Sequence, residues 1–554
     1  MKNGKHQLRI VTLSAFFILI LLTLIWRMYD LTIQDRKFLQ GQGNARSLRL
    51  IDIPAYRGMI TDRNGSPLAV STPVKSAWIN PKDFHPTKSQ LKQLAKLVKL
   101  SPKDISKHVA DEKDREFIYL RRHLMPNQVM EIEALKIPGI NFKEEFKRFY
   151  PMGSSSAQLI GFTNIDDDGL EGLELAYQKW LMGSSGKKRV VKDRVGRIIE
   201  VLDLVKEPRP GNDLMLSIDR HIQYVAYNAL QKTVTKYKAK SGSVVVLDAK
   251  TGEVLAMTNY PSFNPNVRKH FTPEIYRNRA VIDTFEPGSV IKPISVASAL
   301  ESGLFTKDSM IDTNPSWMMV GGHAIRDSRR FGEIDLTGIL RHSSNVGVTK
   351  LVLASPPEQL INVLKRVGIS ERTASGFPGE NAGSIVRPED ANRFVLATLG
   401  FGYGMSLTTL QLAKSYLVFT NKGRMIPVRL LHYDTIPKGE QAIKPETAND
   451  VLIMMEDVIN GTGRRAKVPG YRVAGKTGTS RVVGKHGYDA DRHVGSFVGI
   501  APVSNPSIIV AVVINEPTQG GYYGGLVAAP LFAKVMGAAL RILNIAPDGE
   551  TRPK

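Results

Sequence analysis

The chain has 554 residues, with 75 Lys and Arg against 52 Asp and Glu, no cysteine and a formal net charge of +23. Apolar residues at 42% and charged residues at 23% exclude wholesale disorder. The lack of thiols excludes disulfide scaffolds, zinc ribbons, iron–sulfur clusters and cysteine nucleophiles, and suits an oxidising compartment.

The basic residues are spread along the chain without a zinc-finger or RNP-type pattern. Nucleic acid is therefore not an expected partner; the charge fits either a plain basic soluble surface or association with phospholipid or cell-wall polymer. Ile10 to Trp26 runs uncharged for 17 residues, preceded by Lys2, Lys5 and Arg9 and followed by interfacial Trp26 and Tyr29. No small-residue cleavage site follows, so a single uncleaved transmembrane anchor is expected over 10–31, with residues 1–9 before it. Next come a stalk and a first domain, 32–207. Within it Arg57 to Ala69 reads as a β-hairpin, Asn64-Gly65 supplying two positive-φ residues. Helices are expected near 89–99 and 127–136, a further one from Gly169 to about Met182, and a basic extended stretch over 187–203. Arg57 either anchors this domain to the following one or is a solvated hairpin charge.

The Pro208–Asp213 cluster marks the main boundary, and the second domain is expected over 213–545 with a tail over 546–554. Arg220 to Tyr237 is an amphipathic helix. VVVLD and EVLAMT form a hairpin around Ala249–Gly252. Helices occupy much of 289–420, strands return at 472–480, 493–501 and 507–515, and a helix runs from Ala529 to Leu543. This pattern is α+β, an antiparallel sheet flanked by helices.

Chemistry enters with three strings: Ser289-Val-Ile-Lys292, Ser343-Ser-Asn345 and Lys476-Thr477-Gly478-Thr479. Each recurs elsewhere, for example Lys250-Thr251-Gly252 in a turn, so context carries the signal. Ser289 opens a helical run, and a residue at i+3 shares its face. A serine nucleophile needs an adjacent base. Burial, the helix dipole and a second lysine, Lys476, would push Lys292 toward the neutral form. Pro293 is in tension with a helical Lys292. Ser343 is suited to relay protons. Asn345 can bind a peptide group, and a strand carrying Lys476, Thr477 and Thr479 can bind a carboxylate and pair with an extended peptide. Backbone N–H groups of Ser289 and Thr479 would form an oxyanion hole. His342 and His493 read as structural. No metal-ligand spacing is present, and no cofactor is expected.

The triplet is the signature of penicillin-binding proteins and related serine enzymes. With FEPGSVIKP, RHSSNVGVTKL, FGYGMSLTTLQLA, AGKTGTS, YYGGLVAAPLF and RGMITDRNGSPLA, the chain resembles the class B penicillin-binding proteins, in particular their division-specific branch. The resemblance implies an elongated, dimerisation-type pedestal before a penicillin-binding/transpeptidase domain. It implies a serine D,D-transpeptidase that cross-links peptidoglycan stem peptides at the septum and is a target of β-lactams. Ser289, Lys292 and Ser343 would be catalytic; Asn345, Lys476, Thr477, Gly478 and Thr479 would bind substrate. It implies anchoring in the inner membrane with the catalytic domain in the periplasm, beside an FtsW-type lipid-II polymerase and other divisome proteins. Two rivals are weaker. Gly470–Thr477 matches a P-loop string but leads into no apolar helix. A β-lactamase would need a water-activating base that Glu358–Asn362 does not match.

Overall fold

The computed structural model describes residues 3–39, 41, 48–193, 198–267, 272–484 and 487–549. The expected tail beyond residue 549 and parts of the stalk lie outside them. The chain divides into two compact units that are not contiguous in sequence. Unit 1 takes Met1–Tyr56, Pro73–Phe146 and Gly183–Gly211; unit 2 takes Arg57–Thr72, Lys147–Met182 and Asn212–Lys554.

Unit 1 begins with helix α1 (Asn3–Tyr29), continued by one π-helical turn, Asp30–Gln34. The segment His6–Gln34 is long and apolar enough to cross a membrane, and its side chains are exposed. The core of this unit gathers Ile79, Phe84, Leu94, Val98, Ile105, Ile118, Leu120 and Ile132. Helix Lys88–Val98 starts where Thr87 and Gln90 form a reciprocal capping box, and Pro102–Asp111 starts at Ser101, with proline in its first turn. The basic stretch expected over 187–203 is two antiparallel strands, Gly186–Lys192 and Ile198–Lys206. Every residue of the second is exposed.

In unit 2 the sheet has five antiparallel strands. They are β1 (Ser241–Asp248), β2 (Val254–Tyr260), β3 (Ala474–Gly484), β4 (Gly487–Ala501) and β5 (Ile508–Asn515), in the order β2-β1-β5-β4-β3. The continuous apolar run VVVLD belongs to a strand buried on both faces. Val244 and Val246 pack toward α2 (Arg220–Lys236) and the C-terminal helix Ala529–Ile542. Val245 and Leu247 join the larger helical core on the other side. The alternation is the two-residue period of a strand. Asp219 caps α2 by accepting from His221 N and Ile222 N. The Lys250-Thr251-Gly252 decoy lies in the β1–β2 turn, where Asp248 Oδ1 accepts from Lys250 N and Thr251 N.

Three expectations need correction. The Asn64-Gly65 turn has only Gly65 at positive φ (+78°). Asp62 Oδ1 accepts from Asn64 N and Ser66 N, so the side chain folds a longer loop in place of a two-residue one. The helix expected over 169–182 is two short pieces, Gly172–Ala176 and Gln178–Leu181. Arg57 is not a solvated charge: it is 2% exposed, with Nε 2.6 Å from Glu174 Oε2 and Nη1 2.7 Å from Gln178 Oε1. Arg148 Nε lies 2.7 Å from the other oxygen of Glu174. One buried carboxylate thus serves two buried guanidinium groups, each bond charge-assisted.

Candidate active site

Ser289 lies in a 3-10 turn, Gly288–Ile291, and the α-helix α3 (Lys292–Glu301) begins only at Lys292. The cause is Pro293. It has no N–H to bond the carbonyl of Ser289 four residues back, so Lys292 N donates to that carbonyl in a tighter 3-10 bond. Lys292 nevertheless keeps helical angles, φ −53° and ψ −36°. The Tyr416 hydroxyl, fully buried, donates to Val290 O at 2.7 Å and Ser295 Oγ donates to Gly400 O at 2.8 Å, fixing the turn against the helical layer.

The second motif joins two helices, α4 (Leu336–His342) and α5 (Asn345–Ala354). Ser343 ends α4 in the left-handed conformation, φ +59°, and Ser344 caps α5 by accepting from Gly347 N at 2.8 Å. The third motif lies on β3, the edge of the sheet. Close approach is possible because residue 478 is glycine: a Cβ there would lie 2.9 Å from both Pro287 O and Val290 Cγ1, on the turn that carries Ser289.

The motifs converge on two lysines, both 0% exposed. Lys292 Nζ lies 2.6 Å from Ser343 O, 2.8 Å from Asn345 Oδ1 and 3.1 Å from Ser343 Oγ. Lys476 Nζ approaches the same Ser343 Oγ at 3.1 Å and Thr477 O at 3.2 Å. Burial pushes the Lys292 amine well below the usual lysine range, the Lys476 charge adds to this, and Asp327 opposes it. Burial alone holds Lys476 down to about 7. Among the described residues none is hydrogen-bonded to the Ser289 hydroxyl; the Lys292 amine is turned toward the second motif. Thr479 Oγ1 accepts from Gly524 N at 3.1 Å, and Asn345 Nδ2 donates to Arg326 O at 3.0 Å. His342 stacks on Phe331 at 4.8 Å and His493 on Tyr522 at 3.8 Å, so both rings are packing elements. The string Gly470–Thr477 runs into β3 and not into a helix, which removes the P-loop reading.

Sequence reasoning missed Asp327. Its Oδ2 accepts from Ser344 Oγ at 2.6 Å, and its Oδ1 accepts from Asn345 N and, at 3.1 Å, from Val346 N. It sits in an Arg-Asp-Ser-Arg-Arg run with no spacing that would single it out.

A Ser-x-x-Lys turn with a buried lysine, facing a Ser-Ser-Asn turn and a Lys-Thr-Gly-Thr edge strand, is the site of a penicillin-binding serine enzyme. The family profile described as penicillin binding protein transpeptidase domain matches residues 242–537, and that described as penicillin-binding protein dimerisation domain matches 52–216. The chain belongs to the class B penicillin-binding proteins. It is 41% identical over 550 residues to the probable peptidoglycan D,D-transpeptidase PbpC of Pseudomonas aeruginosa, covering 99% of this chain and 97% of that one. It is 40% identical to the peptidoglycan D,D-transpeptidase FtsI of Escherichia coli, covering 98% and 93%. The crystal structure of penicillin binding protein 3 from Mycobacterium tuberculosis, complexed with aztreonam, superposes with a TM-score of 0.70 at 26% identity, covering 90% of this chain and 98% of that one.

Proposed function

We propose that the protein is a peptidoglycan D,D-transpeptidase that cross-links stem peptides during septal wall synthesis through an acyl-enzyme on Ser289. The observation that carries this reading is the Ser343 hydroxyl held 3.1 Å from each of two fully buried lysine amines. A neutral Lys292 has two N–H bonds and one lone pair. Ser343 O and Asn345 Oδ1 are pure acceptors and use the two N–H bonds, so the lone pair faces the Ser343 hydroxyl. Ser343 O–H then donates to Lys292 while its oxygen accepts from Lys476.

Ser289 Oγ attacks the carbonyl of the penultimate D-alanine of a donor stem peptide, and its proton passes to the lone pair of Lys292, which must turn from the Ser343 hydroxyl to Ser289 for this step. The hydrogen bond between Ser289 and Lys292 forms as substrate closes the site, as catalytic bonds commonly tighten only on binding. The tetrahedral oxyanion is met by the N–H groups of Ser289 and Thr479, a type of contact that typically supplies about 3 kcal/mol. The proton travels through Ser343 to the departing amine, the C–N bond breaks, and D-alanine leaves. The side-chain amine of a neighbouring stem then attacks the ester, passes its proton back along the same path, and releases Ser289. Lys476, Thr477 and Thr479 hold the donor's terminal carboxylate. The Thr479 oxygen already accepts from Gly524 N, which leaves its O–H to donate to that carboxylate. Asn345 fixes Lys292, its amide oxygen accepting from the amine.

The apolar helix α1 anchors the chain in the inner membrane, with the catalytic unit in the periplasm where stem peptides are. By the family resemblance, an FtsW-type lipid-II polymerase and other divisome proteins are its partners. β-Lactams mimic the donor and trap Ser289. The test is intact-protein mass spectrometry after penicillin treatment, with peptide mapping. The adduct is expected on Ser289 and absent in Ser289→Ala, which also loses cross-linking. A labelled Ser289→Ala protein would overturn the reading, and rapid release of the adduct would instead point to a hydrolase.

A further inference from the structure

Asp327 follows the hairpin formed by Trp317–Val320 and His323–Arg326 and belongs to none of the three motifs. Its carboxylate takes the Ser344 hydroxyl at 2.6 Å and the first two backbone N–H groups of α5, those of Asn345 and Val346. These N–H groups have no partner within the helix, and a carboxylate there is favoured by charge as well as by hydrogen bonding. The same loop grips the motif a second time, because Arg326 O accepts from Asn345 Nδ2 at 3.0 Å. The loop is itself tied down by Asp327 N donating to Ser316 O at 2.9 Å. Ser343, one residue before the clamped segment, is a non-glycine residue at φ +59°. Such a conformation persists only where the surroundings over-determine it. From it Ser343 presents both its carbonyl and its hydroxyl to Lys292.

We propose that Asp327 is a positioning residue for the acyl-transfer reaction: its carboxylate clamps the Ser343–Val346 turn in the shape that orients Lys292, and its negative charge offsets the two buried lysines. The inference rests on the acyl-transfer reading given above. Lys292 is faced by Lys476 from β3 and by Asp327 from the hairpin loop, and these two charges act on it in opposite senses. Removing the Asp327 charge while keeping an oxygen therefore leaves Lys292 harder to protonate. Removing the side chain also frees the turn.

The experiment measures the second-order rate of acylation by a fluorescent penicillin, across pH, for the full-length protein and for Asp327→Asn, Asp327→Glu and Asp327→Ala. Asp327→Asn is expected to lose about tenfold at its optimum, through weakened hydrogen bonds to the turn. Its acid limb, where Lys292 takes up a proton, is expected to move to lower pH. Asp327→Glu keeps the charge and is expected to hold the limb near the wild-type position while losing rate. Asp327→Ala is expected to lose about a hundredfold, since two backbone donors and a hydroxyl are left without their acceptor. If Asp327→Ala does not fold, Asp327→Asn carries the test. An Asp327→Asn protein with the wild-type rate, or with a lowered rate and an unmoved acid limb, overturns the proposal. Failure of the wild-type protein to acquire the adduct at Ser289 would instead sink the acyl-transfer reading.

Discussion

Gly478→Ala is expected to impair acylation more than it impairs folding. The added Cβ would meet Ser496 Oγ, Pro287 O and Val290 Cγ1, the last two at 2.9 Å. The Ser496 hydroxyl can rotate away, but Pro287 O is backbone and Val290 is fully buried. Ordinary carbon contacts need about 3.5 Å, so the turn carrying Ser289 must retreat from β3 by about half an ångström. Overpacking of this kind typically costs about 1–3 kcal/mol of stability. Misplacing reacting groups by a full ångström costs on the order of a hundredfold in rate, so about tenfold is expected for half that distance. Two readings are needed: the acylation rate with a fluorescent penicillin and the thermal melting point. Gly484→Ala on the same strand is the control, because among the described residues its Cβ would meet only Gly487 O, at 3.5 Å, and both readings should match wild type. A Gly478→Ala protein acylated at the wild-type rate, or a Gly484→Ala protein equally impaired, would refute the claim that backbone proximity at 478 sets the site.

Lys476→Met removes the cation that helps depress Lys292, so the acid limb of acylation should move to higher pH; an unmoved limb would show that the two amines do not interact. Lys476, held down to about 7 from 10.5, binds fewer protons in the folded than in the unfolded chain between those values. Stability should therefore rise with pH from about 7 toward 10.5, and below about 7 the fold bears the full cost of a buried cation. Urea midpoints across that range should rise in the wild type and rise less in Lys476→Met. Glu174→Gln strips the carboxylate from between Arg57 and Arg148, each 1% exposed at the side chain. Leaving buried charges uncompensated costs about 3–5 kcal/mol, read by chemical denaturation; a loss under about 1 kcal/mol would mean that the guanidinium groups find water or other acceptors.

The placement of the motif residues was legible in sequence wherever it is local. Ser289 and Lys292 fall within one helical turn, and an i, i+3 spacing says so without coordinates. Lys476, Thr477 and Thr479 sit in an extended run that reads as a strand, and they lie on β3. What failed was chemistry fixed from a distance. Arg57 could be read either as a domain anchor or as a solvated hairpin charge, and only Glu174, 117 residues later, removes the second reading. Asp327 has partners at 344, 345 and 346, and no periodicity links a lone acid in a basic run to a helix start beyond it. The linear boundary at 208–213 likewise carries no trace of residues 57–72 and 147–182 packing within the same compact unit as the catalytic sheet. Turn chemistry failed for a local reason: Asp62 competes with Asn64-Gly65 for the backbone donors of the loop.

The position of β3 ties fold to chemistry. An outermost strand exposes a row of unpaired N–H and C=O groups, which soluble proteins usually cover or blunt. Here that edge carries the lysine and the two threonines of the third motif and stays uncharged from Thr477 to Ser480. A donor peptide that pairs with it gains main-chain hydrogen bonds whatever its side chains, which suits a substrate whose terminal residues are two small D-alanines. Pairing also sets register, and a slip of one residue would reverse the faces of the peptide. On the proposed mechanism, the carbonyl to be attacked would lie opposite Ser289 because Gly478 lets the turn approach the strand. On the same mechanism this glycine would align nucleophile and substrate edge, and a chain with all three motifs but a bulkier residue at 478 is expected to bind the peptide and attack it slowly.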